Sequence, residues 1–232
     1  MPINKPLFEF LSQFVTDHKK ELMERVLANR TRRLTIVLED IFQSQNASAV
    51  VRTCECLGIQ DLHIIESRSK YGTNLKVLKG SHNWINIIKH KFEKNEGPKA
   101  TFDELKKAGY KVLVTSVLPG SKSIFEINPD ELGKIAIVMG NELHGASSIA
   151  QENADGLVHI PMVGFTESFN VSVSAAICAT TILNKIKASE TGWQLSDEEK
   201  EEIRMRWVRS IVRKVDVLER NFLANQNKNT QL

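Results

Sequence analysis

Three short polar stretches of this 232-residue chain hold groups that bind and orient a ligand: residues 46–52, 140–145 and 160–172. Their amide, carboxylate, hydroxyl and guanidinium groups can bind polar parts of a ligand and take part in proton transfer. The second and third stretches adjoin the hydrophobic runs 135–139 and 157–160, which have the composition of buried strands. Ligands of α/β sheets bind at the carboxyl ends of such strands. The sequence therefore predicts a polar site at one edge of a sheet.

The second stretch, GNELHG at residues 140–145, lies between a predicted strand and a predicted helix. Its two glycines permit a tight turn and a close approach of the backbone to a ligand. An ordinary strand-to-helix turn has the same composition, and we interpret His144 as a turn residue rather than a base. The stretch is not the GxGxxG fingerprint, so a dinucleotide site of the Rossmann type has little support.

The third stretch is more specific. Ile160-Pro161-Met162 leaves a strand, and Ser168 and Asn170 lead into an Ala-rich helix whose first amide groups can bind polar parts of a ligand. Any one of these polar residues alone is also a suitable N-cap.

Short β-branched runs that alternate with helical patterns indicate a mostly parallel sheet covered by helices. The predicted strands are residues 34–38, 62–65, 84–88, 112–117, 135–139 and 157–160. The predicted helices between them are residues 47–57, 101–108, 147–153 and 172–187. We expect an α/β fold, with helices on both faces of the sheet, built on a single core.

The chain is long enough for one substantial core with additions at its ends. We predict an N-terminal helical arm at 1–33, a core at 34–187, and a C-terminal helical arm with a frayed tail at 188–232. Ser196 and Glu199 form a capping box that opens the C-terminal helix. An apolar stripe along that helix predicts one packed face. Its members are Ile203, Trp207, Ile211, Val215 and Leu218.

Basic residues cluster on both arms, although the net charge is only +3. Arginine and lysine neutralise phosphates and supply most of the nonspecific affinity for nucleic acid. A solvated surface is the plain alternative. We predict RNA contacts for Arg30, Arg32, Arg33, Arg206, Arg209 and Arg213.

The composition of the chain limits its possible location and its possible partners. The longest apolar runs are shorter than a membrane helix needs, and residues 1–14 lack the pattern of a signal peptide. The cysteines Cys54, Cys56 and Cys178 lie in hydrophobic stretches and lack the spacing of a disulfide framework or a metal site. We expect buried thiols, no metal, no membrane partner and a cytoplasmic location.

In order and spacing, the three stretches resemble the signature of the SpoU branch of the SPOUT methyltransferases, which transfer a methyl group from S-adenosylmethionine to an RNA ribose. Asn46 and Arg52 match the first motif, GNELHG the second, and the stretch from Ile160 to Asn170 the third. The resemblance covers most of residues 29–187. NRTRRLT at 29–35, GSHNW at 80–84 and the two arms look like the TrmH type, which methylates a D-loop guanosine of tRNA.

The resemblance implies a SPOUT fold with a C-terminal deep trefoil knot, whose three loops bind S-adenosylmethionine. Simple topology rules alone give an open doubly wound sheet instead. The cofactor contacts implied are Thr115, Gly140, Ile160, Met162 and Phe169. It also implies a homodimer that acts on tRNA, with the active site near the subunit interface.

Catalytic roles follow from the same resemblance. Arg52 acts at the ribose 2′-hydroxyl, Asn46 holds Arg52 or the substrate, and Glu142, Ser168 and Asn170 complete the site. An arginine rarely loses its proton, so Arg52 is either the general base or a group that binds phosphate and stabilises a developing alkoxide.

Two alternatives stay open at this point. One is a ribose methyltransferase that acts on ribosomal RNA or on another tRNA position, because the motifs bind cofactor and ribose rather than a base sequence. The other is a catalytically silent RNA-binding protein that keeps the fold.

Overall fold

A computed structural model describes residues 4–68, 70–92 and 96–229. By its internal contacts this part of the chain divides into two units. Thr31–Gln194 form the sheet unit, and the described residues of Met1–Arg30 and Leu195–Leu232 form the helical unit. Within the described residues, no helix is long and apolar enough to cross a membrane.

Seven strands of the described chain form one sheet in the order β3-β2-β1-β6-β4-β7-β5, and neighbouring strands pair in parallel. This confirms the predicted mostly parallel α/β sheet. The strands are β1 (Leu34–Glu39), β2 (Asp61–Glu66), β3 (Asn86–Lys91), β4 (Tyr110–Thr115), β5 (Lys122–Ser123), β6 (Lys134–Met139) and β7 (Gly156–His159).

The described helices of the sheet unit are α3 (Ser44–Leu57), α4 (Leu75–Leu78), α5 (Gly97–Lys107), α6 (Pro129–Leu132), α7 (Ser148–Asn153) and α8 (Val171–Ala188). Those of the helical unit are α1 (Lys5–Ser12), α2 (Asp17–Leu27), α9 (Asp197–Ile211) and α10 (Val215–Asn229). The four helices predicted between strands are present as α3, α5, α7 and α8.

Both faces of the sheet are covered, because successive residues of its central strands enter two separate apolar clusters. Ile36 and Leu38 of β1 pack in a cluster with α3 and α8, whereas Val37 packs in a cluster with α5 and α7. Alternation of this kind follows from the period of two in a strand. It explains why β1 and β6 are apolar throughout, as strands buried on both faces are.

The strand predicted at 84–88 is displaced. Trp84 lies after a short 3-10 turn, Ser81–Asn83, and β3 begins at Asn86. Strand β5 was not predicted, because its two residues are too few and too polar to show a strand pattern.

The helical unit corrects two expectations about the C-terminal arm. The apolar stripe predicted one helix, but the chain breaks between Ile211 and Val215, where Lys214 has a φ of 54°. A right-handed helix does not continue through a left-handed residue. The predicted tail is also wrong as far as Asn229, because α10 extends to that residue; 230–232 lie outside the described residues.

The N-terminal arm is helical only as far as Leu27, with residues 1–3 outside the described range. The basic run that follows is not helical, and Thr31 forms a parallel bridge with Ile59. The start of α9 agrees with the sequence: Ser196 and Glu199 form the predicted capping box.

Candidate active site

A cavity of about 680 Å³ lies at the carboxyl ends of β4, β6 and β7 and the amino ends of α3 and α8. We call it the main cavity. Parallel strands bring these chain segments to one edge of the sheet. The predicted cofactor contacts that line it are Thr115, Gly140, Ile160, Met162 and Phe169. The predicted catalytic residues that line it are Asn46, Glu142, Ser168 and Asn170.

Hydrogen bonds from α3 and the residues before it hold the Glu142 carboxylate. Its Oε1 accepts from the backbone N–H of Gln43 at 3.3 Å and from Asn46 Nδ2 at 2.9 Å, and its Oε2 accepts from the backbone N–H of Phe42 at 3.1 Å. Burial opposes ionisation, but these hydrogen bonds outweigh it and the pKa of Glu142 is lowered. Glu142 is therefore a fixed anion at neutral pH.

Asn46 connects Glu142 to the start of α8. While its Nδ2 donates to Glu142, its Oδ1 accepts from Asn170 Nδ2 at 3.1 Å. Asn170 is in turn the N-cap of α8, because its Oδ1 accepts from the backbone N–H of Ser172 at 2.9 Å. Each amide is thus fixed at both its nitrogen and its oxygen. Three residues far apart in sequence form one continuous chain of hydrogen bonds.

The turn that carries Glu142 requires glycine at its start. Asn141 and Gly145 exchange two backbone hydrogen bonds, of 2.9 and 2.8 Å, which bring the backbone of Ala146 back against Gly140. A Cβ on Gly140 would lie 2.0 Å from the backbone nitrogen of Ala146. Asn141 anchors the turn, since its Nδ2 donates to the carbonyl oxygen of Asp40 at 2.7 Å. The predicted turn is therefore a rigid support for Glu142.

The main cavity has the size and lining for a nucleoside-like ligand. Drug-sized ligands occupy roughly 300–1,000 Å³ in sites that are mainly apolar with a few fixed polar groups. Met139, Ile160 and Met162 supply apolar surface, while the amide and carboxylate groups described above lie at its margin. Thr115 is fixed by donating from Oγ1 to the carbonyl of Val138 at 2.9 Å. The residues present fit S-adenosylmethionine.

Arg52 is set apart from the other predicted catalytic residues. It is exposed on α3 and does not line the main cavity. It lies six positions after Asn46, which corresponds to about 9 Å along a helix. Among the described residues, no hydrogen bond or ion pair holds its side chain.

The arginines of the basic run before β1 form contacts within the protein. Arg30 is 1% exposed, and its guanidinium lies 5.4 Å from the centre of the Trp207 ring. Arg32 Nε donates to Asp61 Oδ2 at 2.9 Å, and Arg33 donates to backbone carbonyls, among them that of Gly133 at 3.2 Å. The RNA contact predicted for Arg30 is therefore wrong, because a buried guanidinium cannot reach a phosphate.

The C-terminal arginines differ in their exposure and in their partners. Arg209 Nε donates to Glu219 Oε1 at 2.6 Å, and Arg206 is half-buried. Arg213 is exposed, and no described residue forms a hydrogen bond or ion pair with it. RNA contact by these residues stays a prediction.

Several groups at the site could not be predicted from the sequence. Phe42 and Gln43 act through backbone N–H groups, which no side-chain pattern reveals, and Asn141 acts through the turn. One thiol also differs from expectation: Cys56 is exposed, whereas Cys54 and Cys178 are buried. No group of metal-ligating side chains occurs among the described residues.

Comparison with known proteins identifies relatives of this chain. The model of the SpoU rRNA Methylase family matches residues 33–180. The tRNA (guanosine(18)-2′-O)-methyltransferase of Borreliella burgdorferi is 44% identical over 90% of this chain and 93% of its own length.

Two solved structures have the same fold. The TrmH/SpoU tRNA modifying enzyme of A. aeolicus has a TM-score of 0.73 at 28% identity, over 85% of this chain and 98% of that one. A SpoU methyltransferase from Streptomyces viridochromogenes, solved with the cofactor AdoMet, has a TM-score of 0.58 at 18% identity, over 72% of this chain and 65% of that one.

Proposed function

The chain belongs to the SpoU rRNA methylase family, and on that premise we propose that it is a tRNA (guanosine(18)-2′-O)-methyltransferase that uses S-adenosylmethionine. The observation that carries the proposal is its similarity to the Borreliella burgdorferi enzyme of that name over nearly the whole chain. The network of Asn46, Glu142 and Asn170 beside the main cavity supports an active enzyme over a silent RNA-binding protein.

Bound S-adenosylmethionine supplies an activated methyl group, so the protein has two remaining tasks: to hold the ribose oxygen in line and to stabilise it as its proton leaves. Glu142, Asn46 and Asn170 provide the rigid wall against which the ribose lies, and Ser168 offers a hydroxyl at the same edge. Arg52 keeps its own proton and stabilises the developing alkoxide, while the hydroxyl proton passes to water.

We propose the trefoil knot of the SPOUT fold for the part of the sheet unit that holds the main cavity. The loops after β4, β6 and β7 all line this cavity, which is the arrangement that the resemblance implies. Thr115, Gly140, Ile160, Met162 and Phe169 are the proposed cofactor contacts on these loops.

A homodimer is the proposed active form. An exposed Arg52 outside the main cavity needs another surface to meet a substrate, and two large apolar residues near the site, Val163 and Phe165, are fully exposed in the single chain. A second copy supplies both a cover for this apolar surface and a site for Arg52. We place the enzyme in the cytoplasm, with its tRNA substrate.

The decisive experiment measures transfer of a labelled methyl group from S-adenosylmethionine to an unmodified tRNA transcript. The matched control is the same tRNA with 2′-deoxyguanosine at the target position, which keeps the base and lacks only the accepting hydroxyl. We expect label in the first RNA, none in the second, and a phosphodiester bond after the labelled ribose that resists alkali. Label at another tRNA position, or only in ribosomal RNA, would mean that the proposed substrate is wrong. No label in any RNA would favour the catalytically silent RNA-binding protein.

Phosphate contacts by the C-terminal arm are tested by salt dependence. The slope of log affinity against log salt is negative, and replacing one phosphate-binding arginine lowers its magnitude by about 1. We expect this result for Arg213→Gln in tRNA-binding titrations. Arg204→Gln is the control, because Arg204 is already paired with Glu24 at 2.6 Å. Equal slopes for Arg213→Gln and the unaltered protein would show that Arg213 does not contact a phosphate of the tRNA.

A further inference from the structure

A second cavity, of about 280 Å³, adjoins the main cavity and has no role in the function described so far. We call it the side cavity. The two cavities share part of the turn that follows β6, from Asn141 to Gly145. The carboxyl end of β1, the residues after β2 and the beginnings of α5 and α7 form its other walls. A ligand that occupies both cavities therefore passes along the turn that holds Glu142.

Glu39 places a buried carboxyl group at the wall of the side cavity. The residue is 3% exposed and lines the cavity. Among the described residues, its only hydrogen-bond partner is Ser147, whose backbone N–H donates to Oε2 at 3.1 Å and whose hydroxyl also forms a hydrogen bond with the carboxyl group. A carboxylate accepts about four hydrogen bonds. Glu39 therefore keeps acceptor capacity that the protein does not use, and burial raises its pKa.

Asp40 and Arg68 make this corner a built structure rather than an accidental gap. Asp40 has a φ of 49°, an unfavourable conformation for a residue other than glycine. Its Oδ1 accepts from the backbone N–H groups of Ser67 and Arg68, each at 2.8 Å. These bonds fix the segment that brings Arg68 to the cavity wall, where its positive charge acts on Glu39.

Phe42 connects the side cavity to the active site. Its backbone N–H donates to Glu142, while its side chain lines the side cavity and is 71% exposed. An exposed ring on a fixed backbone is a platform for stacking a nucleobase, which contributes about 1–3 kcal/mol. A nucleotide whose ribose lies against Glu142 therefore has its base within reach of this ring.

We propose that the side cavity receives the guanine base of the target nucleotide, with Phe42 against its face and Glu39 accepting hydrogen bonds from its N1–H and N2–H groups. This inference rests on the proposed function. Enzymes that modify a nucleotide commonly take the base out of its stack and bind its Watson–Crick edge. Guanine presents two adjacent donors that match one carboxylate, whereas adenine presents an acceptor at N1. In this proposal Arg68, which also lines the side cavity, donates to guanine O6.

The test compares tRNA transcripts that carry guanosine, inosine or adenosine at the target position. Inosine lacks only the N2 amino group. We expect the unaltered enzyme to prefer guanosine over inosine by about 10- to 100-fold in kcat/KM, the usual effect of one good base contact. In Glu39→Gln, whose amide no longer offers two acceptors, this ratio should fall to about threefold or less. The loss should come from a slower reaction with guanosine.

The matched control is Glu66→Gln, because Glu66 ends the neighbouring strand β2 but does not line the side cavity. It should keep the full preference for guanosine. Phe42→Ala is the second test variant if Glu39→Gln does not fold, because the Phe42 ring is exposed and its removal should leave the fold intact. We expect Phe42→Ala to have a higher KM for tRNA and an unchanged affinity for S-adenosylmethionine.

Three outcomes would overturn the inference. They are equal use of inosine by the unaltered enzyme, an unchanged ratio in folded Glu39→Gln, and an unchanged KM in Phe42→Ala. An unaltered enzyme that methylates no guanosine transcript would instead defeat the proposed function, and this inference with it.

Discussion

Asn46, Glu142 and Asn170 work as one group because each is held in place by another. Sequence motifs placed all three at the site, since their positions follow from strand ends and a helix start. The same reasoning failed at Arg30, where the charge suggested RNA and the structure shows burial against Trp207. A sequence shows that an arginine is present, but its burial depends on packing between segments far apart in the chain.

Glu142→Gln tests whether the carboxylate is needed as an anion. A glutamine cannot accept from Phe42, Gln43 and Asn46 together, because half of its head group is a donor. We expect kcat to fall by at least about 100-fold, because the ribose would no longer be held in line for methyl transfer. Methyl-transfer assays at saturating S-adenosylmethionine measure it.

The control for this variant is Glu152→Gln, because Glu152 is exposed on α7 and outside the main cavity. It should keep normal activity. Activity of Glu142→Gln within a few-fold of the unaltered protein would show that the charge of Glu142 is not required.

At the scale of elements, the sheet was predictable and its irregular parts were not. Apolar runs without alternation marked β1, β2, β4 and β6, because these strands are buried on both faces. The break before α10 carried no such signal, since the apolar stripe continues across Lys214. A stripe records which residues are apolar, whereas a helix ends where the backbone changes conformation.

Gly140→Ala tests the turn between β6 and α7. The added Cβ would overlap the backbone of Ala146, so the turn must open. We expect a loss of about 1–3 kcal/mol in unfolding free energy and much weaker binding of S-adenosylmethionine by calorimetry. Gly164→Ala is the matched control, because its Cβ would be 4.0 Å from the backbone nitrogen of Thr166. Equal cofactor affinity in both variants would mean that the turn tolerates a side chain.

Acid should weaken the pairing of β2 with β3 through two buried histidines. His63 Nδ1 lies 2.9 Å from His90 Nε2, and burial together with the charge of His90 lowers the pKa of His63 to about 4. Below pH 6.5 His63 of the unfolded chain binds a proton. In the folded chain His63 binds a proton only when the pH approaches about 4. Stability therefore decreases as the pH falls through this window.

From pH 7 to pH 5 we expect His63 to remove about 2 kcal/mol of unfolding free energy. Urea unfolding at both pH values measures this loss. His63→Gln can keep a hydrogen bond to His90 without titrating, so it should lose less stability over the same interval. Glu104, which lies 3.4 Å from His90, stays in place in this comparison. Identical losses in both proteins would exclude His63 as the source.

On the scale of the whole molecule, one chain supplies two separate units, and the sheet unit alone contains both cavities. The sequence predicted helical arms at both ends, but it contained no sign that their residues belong to one unit. Such a pairing joins segments more than a hundred residues apart, and local patterns do not record it. The knot that we propose for the sheet unit could not be predicted from patterns for the same reason, because a knot is a property of the path of the chain rather than of any segment.

Mixed dimers test where Arg52 acts. Arg52→Ala and Glu142→Gln should each be inactive alone. If Arg52 serves the site of its partner, a mixture in which subunits exchange freely should recover about a quarter of the normal activity, because half of the dimers are mixed and each has one intact site. Unmixed samples of each variant are the controls. No recovery, in mixtures shown to contain mixed dimers, would place Arg52 in the site of its own subunit.

The helical unit also sets an order of events during synthesis. Helices α1 and α2 contact α9, and α1 also contacts α10, yet almost the whole sheet unit is translated between them. At a ribosome speed of roughly 5–20 residues per second, this interval is on the order of 10–40 s. During that time Leu7, Leu11, Met23 and Leu27, all buried in the finished protein, lack their later neighbours. The nascent chain therefore presents chaperones and proteases with the apolar faces of α1 and α2 until α9 and α10 emerge.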